Sequence, residues 1–247
     1  MRQFVRATYH KWLQPAANCG RPNHSSEVES VRYPLITAIG MFFVLVMLSS
    51  PAPAEGQLAS RPAEEWSKTL DQPNRIAGLK AEEVIARIGL KAGLTVADLG
   101  AGTGLFSIPM GRAVAPGGRV YAVEVDKAYF GIIQEKARDA QVTNVQTILG
   151  EFGDPKLPAA DVDVAFFHDV LHHIDDRAGY LKNLARYVKP AGRVVVIDLK
   201  PEQSPHKDQP NLIVSEEQVT RWMTAVGFGK VEKVDLFPDK FFLVYTR

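Results

Sequence analysis

Cysteine is almost absent from this chain. Cys19 is the only one in 247 residues, which excludes a disulfide within the chain and a thiolate metal cluster. An excess of one charge is also missing: 29 Lys and Arg against 28 Asp and Glu leave a formal net charge of +1. With no concentrated basic run, there is no electrostatic face for a phosphate backbone, and nucleic acid is not an expected partner. No internal repeat is visible. What the chain does have is a composition 46% hydrophobic and 23% charged, enough to bury one sizeable core but not two large ones, so one main domain is expected.

Long apolar runs are missing with one exception. Leu35 to Leu48 reads LITAIGMFFVLVML without a charge; this is shorter than the roughly twenty residues of a comfortable membrane span. It has the length of a signal-peptide core, and Ala52-Pro53-Ala54 behind it fits an A-x-A cleavage pattern. Residues 1–54 are therefore read as a targeting segment. In one version translation starts near Val31, with Val31-Arg32-Tyr33 as a short basic lead. In the other the segment stays as an anchor that associates with the membrane through 35–48, with Arg2, Arg6, Lys11, Arg21 and Arg32 on the cytoplasmic side. A buried core helix fits less well, because the run is apolar on every face. Both targeting versions export the folded domain to the periplasm, free or membrane-anchored.

Residues 55–74 read as a linker and a short helical segment, with a helix over Ala63 to Leu70 closed by Asp71-Gln72-Pro73. A second helix fits Lys80 to Ile88, where Val84, Ile85 and Ile88 share a face and Gly89 supplies a left-handed stop. Strand-like runs follow at Thr95 to Leu99, Arg119 to Val123, Val145 to Leu149, Asp163 to Phe167 and Arg193 to Ile197. Helical patterns at Lys127 to Ala140 and Arg177 to Val188 lie between them, the second closed by a turn at Lys189-Pro190-Ala191-Gly192. Nearly continuous apolar strands alternating with helices indicate an α/β, doubly wound, mostly parallel sheet over residues 75–247. Ser215 to Gln218 is a capping-box pattern that opens a last helix to about Val226, before two more strand-like runs, Lys230 to Phe237 and Lys240 to Tyr245.

The sharpest signal is Asp98-Leu99-Gly100-Ala101-Gly102-Thr103-Gly104 at the end of the first strand. Its glycines let a backbone turn sharply and approach a ligand at the carboxyl ends of parallel strands. A dinucleotide fingerprint wants glycine three residues after its second one, and Leu105 stands there. Glu124 ends the second strand, where a carboxylate can accept two ribose hydroxyls.

Together with Gly150-Glu151 and Asp169-Val170-Leu171-His172-His173, these residues make the chain resemble class I methyltransferases over nearly all of 75–247. The resemblance implies a Rossmann-like, seven-stranded sheet ending in an antiparallel hairpin, and S-adenosylmethionine as cofactor. It implies roles by position: Gly100, Ala101, Gly102 and Gly104 shape a loop around the methionine moiety and Asp98 orients its amino group. Glu124 would hold ribose, and Glu151 and Phe152 would flank adenine. The chain departs from the family in having Glu151 where aspartate is common.

Methyl transfer needs proximity and alignment, with no covalent nucleophile. Should the acceptor lose a proton, His168 and Asp169 are the expected catalytic residues. Trp66 and Arg75 precede the first strand, where similar enzymes can close over the cofactor; a tryptophan holding a helix down is the plainer reading. No metal site is expected, because His172 and His173 are adjacent and should point apart. The acceptor is expected to be a small molecule set by the N-terminal segment and by Lys200 to Asn211; the lack of cysteine after Cys19 excludes an arsenite-type acceptor. Two alternatives stay open: an exported module that binds the cofactor without turnover, since S-adenosylmethionine is made in the cytoplasm, and a nicotinamide-dependent oxidoreductase.

Overall fold

The computed structural model describes residues 62–247. The targeting segment 1–54, its apolar core 35–48 and the start of the linker lie outside the described residues. No helix among the described residues is long and apolar enough to cross a membrane.

Three short helices come first: α1 (Ala63–Leu70), α2 (Pro73–Leu79) and α3 (Ala81–Ile88). α2 was not expected, because Pro73 reads as a terminator. In the structure it occupies the first helical turn, where its missing N–H is not needed. Gly89 closes α3 at φ 59°, the left-handed stop its sequence suggests.

The rest alternates: β1 (Thr95–Leu99), α4 (Ser107–Val114), β2 (Arg119–Glu124), α5 (Ala128–Asp139), β3 (Val145–Leu149), β4 (Val162–His168), α6 (Arg177–Leu184), β5 (Val188–Leu199), α7 (Glu216–Ala225), β6 (Lys230–Lys233) and β7 (Lys240–Thr246). They form a seven-stranded Rossmann-like sheet in the order β3-β2-β1-β4-β5-β7-β6. The first five strands run parallel, while β7 pairs antiparallel with both β5 and β6. Lys189 to Gly192 are not a turn ahead of β5 but a bulge within it: Val162 faces Val188 and Val164 already faces Arg193. β6 stops at Lys233, short of the expected Phe237, and all four of its residues are exposed. β3 is the other edge and only partly covered, unlike the buried strands beside it.

Side chains alternate between two cores, as the pleat requires. Ala97, Leu99, Tyr121, Val123, Phe167 and Val196 pack beneath α6 and α7, whereas Val96, Val120, Val164, Phe166 and Ile197 pack against α3 and α4. β1 is fully buried. The chain winds one way from β1 through β2 to β3 and the other way through β4 and β5, so the carboxyl ends of β1 and β4 diverge into a crevice, the position at which such sheets bind ligands.

Candidate active site

The loop after β1 is fixed before any ligand arrives. The Gly100 and Ala101 N–H groups both donate to the Val123 carbonyl at 3.0 Å, and the Gly102 N–H donates to Glu124 Oε1 at 2.5 Å. Gly100 sits at φ +71°, and a Cβ there would lie 2.5 Å from Val170 Cγ2. Only glycine lets the loop pass the turn after β4 this closely. A cavity of about 400 Å³ opens in front of it, lined by Asp98, Gly100 to Thr103, Glu124 to Lys127, Phe152 and His168 to Val170, with Leu70, Arg75 and Leu79 from the N-terminal helices. Gly104 is not in that wall: its Cβ position faces Ile133 of α5 at 3.3 Å. A side chain at Gly104 would thus press on α5, while the loop it closes is the one expected to surround the methionine moiety.

Two buried carboxyls stand at the loop. Burial pushes the Asp98 carboxyl up to about 6, although the Ser107 hydroxyl donates to it. Ser107, in the first turn of α4, escaped the sequence reading because a serine after a glycine loop carries no signal of its own. Burial likewise lifts Glu124 to about 7, against the lowering by the Gly102 and Val125 N–H groups and with a further rise from Asp98 and Asp126. Each Glu124 oxygen already accepts one backbone N–H and keeps lone-pair capacity for a second donor.

Glu151 and Phe152 line a smaller adjoining cavity of about 60 Å³ with Gly150, Val170 and His173. Phe152 lines both cavities, and the residue is 56% exposed. A free aromatic face of that kind is what a flat base can stack on. Glu151 instead turns to solvent and pairs with Lys156 at 3.1 Å.

The crevice continues past the end of β4. His168 Nδ1 lies 3.3 Å from Asp169 Oδ2, and Nε2 is buried without a hydrogen-bond partner among the described residues. The His168 ring lies 4.8 Å from that of Phe106 and 6.2 Å from that of Phe237. Burial among these rings drops the imidazole to about 4 despite the pull of Asp169, so it is neutral at ordinary pH. Burial would raise Asp169, but His168 and Lys240 more than offset that and hold it low. The Lys240 ammonium donates to Asp169 Oδ2 from the start of β7. Asp169 itself has φ +55°, a conformation that non-glycine residues hold only where their surroundings impose it. Lys240 was missed because only the β5–β7 pairing brings it to a residue 71 positions away.

The N-terminal helices form a wall of the crevice. Asp71 accepts from the Thr103 hydroxyl at 2.6 Å and pairs with Lys136 at 2.7 Å, tying the end of α1 to the glycine loop and α5. Arg75 lines the cavity and donates to the Leu70 carbonyl at 3.0 Å. Trp66 packs with Ala101, Tyr129 and Ile133, holding α1 down. His172 and His173 depart from expectation: on the tight turn Leu171–His173 their rings are 4.0 Å apart instead of diverging.

A methyltransferase domain family matches residues 97–196. A demethylmenaquinone methyltransferase of a Geobacillus strain is 28% identical over 140 residues, covering 55% of this chain and 60% of that protein. The chain thus spans less than two thirds of that relative's length. A SAM-dependent methyltransferase structure from Aquifex aeolicus superposes with a TM-score of 0.67 at 27% identity, covering 75% of this chain and 98% of that one. The magnesium protoporphyrin IX methyltransferase of Synechocystis with bound SAH shares the fold at a TM-score of 0.58 and 18% identity, over 74% of this chain and 93% of that one.

Proposed function

We propose that this chain, which belongs to the class I S-adenosylmethionine-dependent methyltransferase family, transfers a methyl group to a small, largely apolar acceptor that gives up a proton in the reaction. One observation carries this reading: a single cavity is lined both by the glycine loop with its two carboxyls and by the His168–Asp169 pair.

The residues present fit the cofactor. Glu124 has acceptor capacity for the ribose hydroxyls, and Asp98, in the same cavity wall, stands where a positively charged amino group would be neutralised. Phe152 offers its exposed face to the adenine. When bound, S-adenosylmethionine supplies the methyl group and leaves as S-adenosylhomocysteine.

The protein's own contribution is alignment and proton handling. His168, held neutral by burial, lines the cavity, and its Nε2, buried without a hydrogen-bond partner among the described residues, is the nitrogen left to take a hydroxyl proton from a bound acceptor as the new bond to the methyl carbon forms. Asp169, fixed by Lys240, faces the Nδ1 side of the ring and stabilises the imidazolium that results. Leu70, Leu79, Leu105 and Phe106 in the same wall favour an aromatic or otherwise apolar acceptor over a sugar or a phosphate ester. The likeness to a demethylmenaquinone methyltransferase supports a phenol or hydroquinone.

The test is a panel of phenols and hydroquinones with methyl-labelled S-adenosylmethionine, read as label transferred and S-adenosylhomocysteine formed. At least one acceptor should be methylated by the wild type, and His168→Ala should lose turnover while keeping cofactor affinity. Equal turnover in His168→Ala would remove His168 from the chemistry. Cofactor binding without transfer to any acceptor would favour a module that binds and does not turn over.

A further inference from the structure

His172, His173 and His206 converge outside the cavity that holds His168. The ring of His206 lies 5.4 Å from that of His172 and 5.8 Å from that of His173, and one ring nitrogen from each of the three lies within 4.8 Å of the others. They come from distant parts of the chain: two from the turn after β4, the third from the segment between β5 and α7.

Two further observations distinguish this trio from a chance packing of rings. The first is the support behind His172. Its Nδ1 sits 2.6 Å from Asp198 Oδ1, and its backbone N–H donates to Asp198 Oδ2 at 3.1 Å. Asp198 is 1% exposed and receives the Leu199 N–H as well. A buried carboxylate that accepts the Nδ1–H hydrogen bond leaves Nε2 as the lone-pair nitrogen and fixes the ring plane, which is how metal-ligating histidines are held. The second is His173, whose Nδ1 is buried with no hydrogen-bond partner among the described residues. A buried ring nitrogen left without a donor is costly, and a cation would satisfy it.

We propose that His172, His173 and His206 bind a late first-row divalent cation of the zinc class, with Asp198 as the supporting carboxylate. Three imidazoles without a thiolate suit zinc, nickel, cobalt or copper and disfavour magnesium or calcium, which take oxygen ligands. Tetrahedral coordination at about 2.0–2.1 Å puts ligand nitrogens about 3.4 Å apart, so from separations of up to 4.8 Å the trio must close by up to about 1.4 Å. His206 can make that movement, because it sits between two short 3-10 turns and is only partly covered. His172 cannot, being clamped by Asp198. The nearest competing charge is the Arg177 guanidinium, but it is directed at the carbonyls of Leu171, His172 and Asn211, and the Asp198 carboxylate offsets it. Closure would pin the 200–214 segment to the turn after β4, the two stretches that Arg177 already bridges.

The experiment is a titration of the full, untagged, chelator-treated chain with Zn²⁺ against a competing chromophoric chelator, repeated with Co²⁺ to read the visible bands of a tetrahedral site. The wild type should bind one equivalent that His206→Ala loses by more than the roughly 10–100-fold that removal of a supporting residue costs. Asp198→Asn should weaken binding within that 10–100-fold range. Circular dichroism of His206→Ala should match the wild type, since the residue is on a surface segment. Absence of a specific equivalent in the wild type, or equal affinity in His206→Ala, would overturn the proposal; His10 and His24 lie elsewhere in the chain, and binding by them alone would give that second result.

Discussion

Glu124 does two things with one carboxylate. It anchors the glycine loop through the Gly102 N–H, and it faces the cavity. Burial raises its pKa to about 7, so near neutrality the acid and the anion coexist, and only the anion offers both oxygens purely as acceptors to a pair of hydroxyls. S-adenosylhomocysteine affinity should therefore tighten as pH rises from 6 to 8 in the wild type, whereas Glu124→Gln should weaken binding by about 1.5–3 kcal/mol at pH 8 and show a flatter profile. Parallel pH profiles in calorimetric titrations of the two proteins would contradict this role. Lys240 offers a second test. It and Asp169 are both mostly buried, with side chains 11% and 20% exposed, so Lys240→Met leaves a carboxylate uncompensated and should cost about 3–5 kcal/mol of stability. The double variant Lys240→Met/Asp169→Asn should recover most of that loss in thermal melts without recovering turnover. Additive losses in the two single variants would show that the two groups do not interact.

At the scale of elements, Thr95–Leu99 was legible because a buried strand permits little but apolar residues, and it matches expectation residue for residue; Val145–Leu149, a partly covered edge, matches as well. The misses have specific causes. Pro73 can stop one helix or start another, and the surrounding chain, not the proline, decides between them. Lys189 to Gly192 carry turn residues because a bulge needs the same conformations as a turn. What the sequence could not show is how α1 and α2 come to wall the crevice. That depends on Asp71, whose partners Thr103 and Lys136 lie 32 and 65 residues away. Asp71→Ala should change stability little, because its ion pair with Lys136, about a third exposed on each side, is worth about 0.2–1 kcal/mol. It should instead speed hydrogen exchange across residues 63–79, and bound S-adenosylhomocysteine should slow that exchange in the wild type. Equal exchange in both proteins would mean that the helices are held by packing alone.

At the scale of the whole molecule, the sequence points to the glycine loop, its two carboxyls and the His168–Asp169 pair, all of which line one cavity, but not to the residues that surround that pair. Asp98, Gly100, Gly102 and Glu124 sit within one local stretch whose spacing is itself the signal, so four of the expected residues converge on one wall. Arg75 and Phe106 line the cavity beside His168 and Asp169, with Lys240 bonded to Asp169 behind them, and no pattern in one sequence links residues that only the tertiary fold brings together. Glu151 illustrates the limit of position: it stands where the family places an acid, yet its side chain pairs with Lys156 in solvent. The apolar run 35–48 supports our proposal that the domain is exported; alkaline phosphatase fused after Ala54 should be active in cells, and an inactive, stably expressed fusion would place the domain in the cytoplasm.

The claim on which the rest depends is that the crevice takes a sulfur nucleoside. Calorimetric titration of the full chain with S-adenosylmethionine, S-adenosylhomocysteine and NAD tests it most directly. Saturable one-to-one binding of the first two, absent with NAD and weakened in Glu124→Gln, is the expected result; binding of NAD in their place, or affinity for the sulfur nucleosides that ignores Glu124, would contradict it.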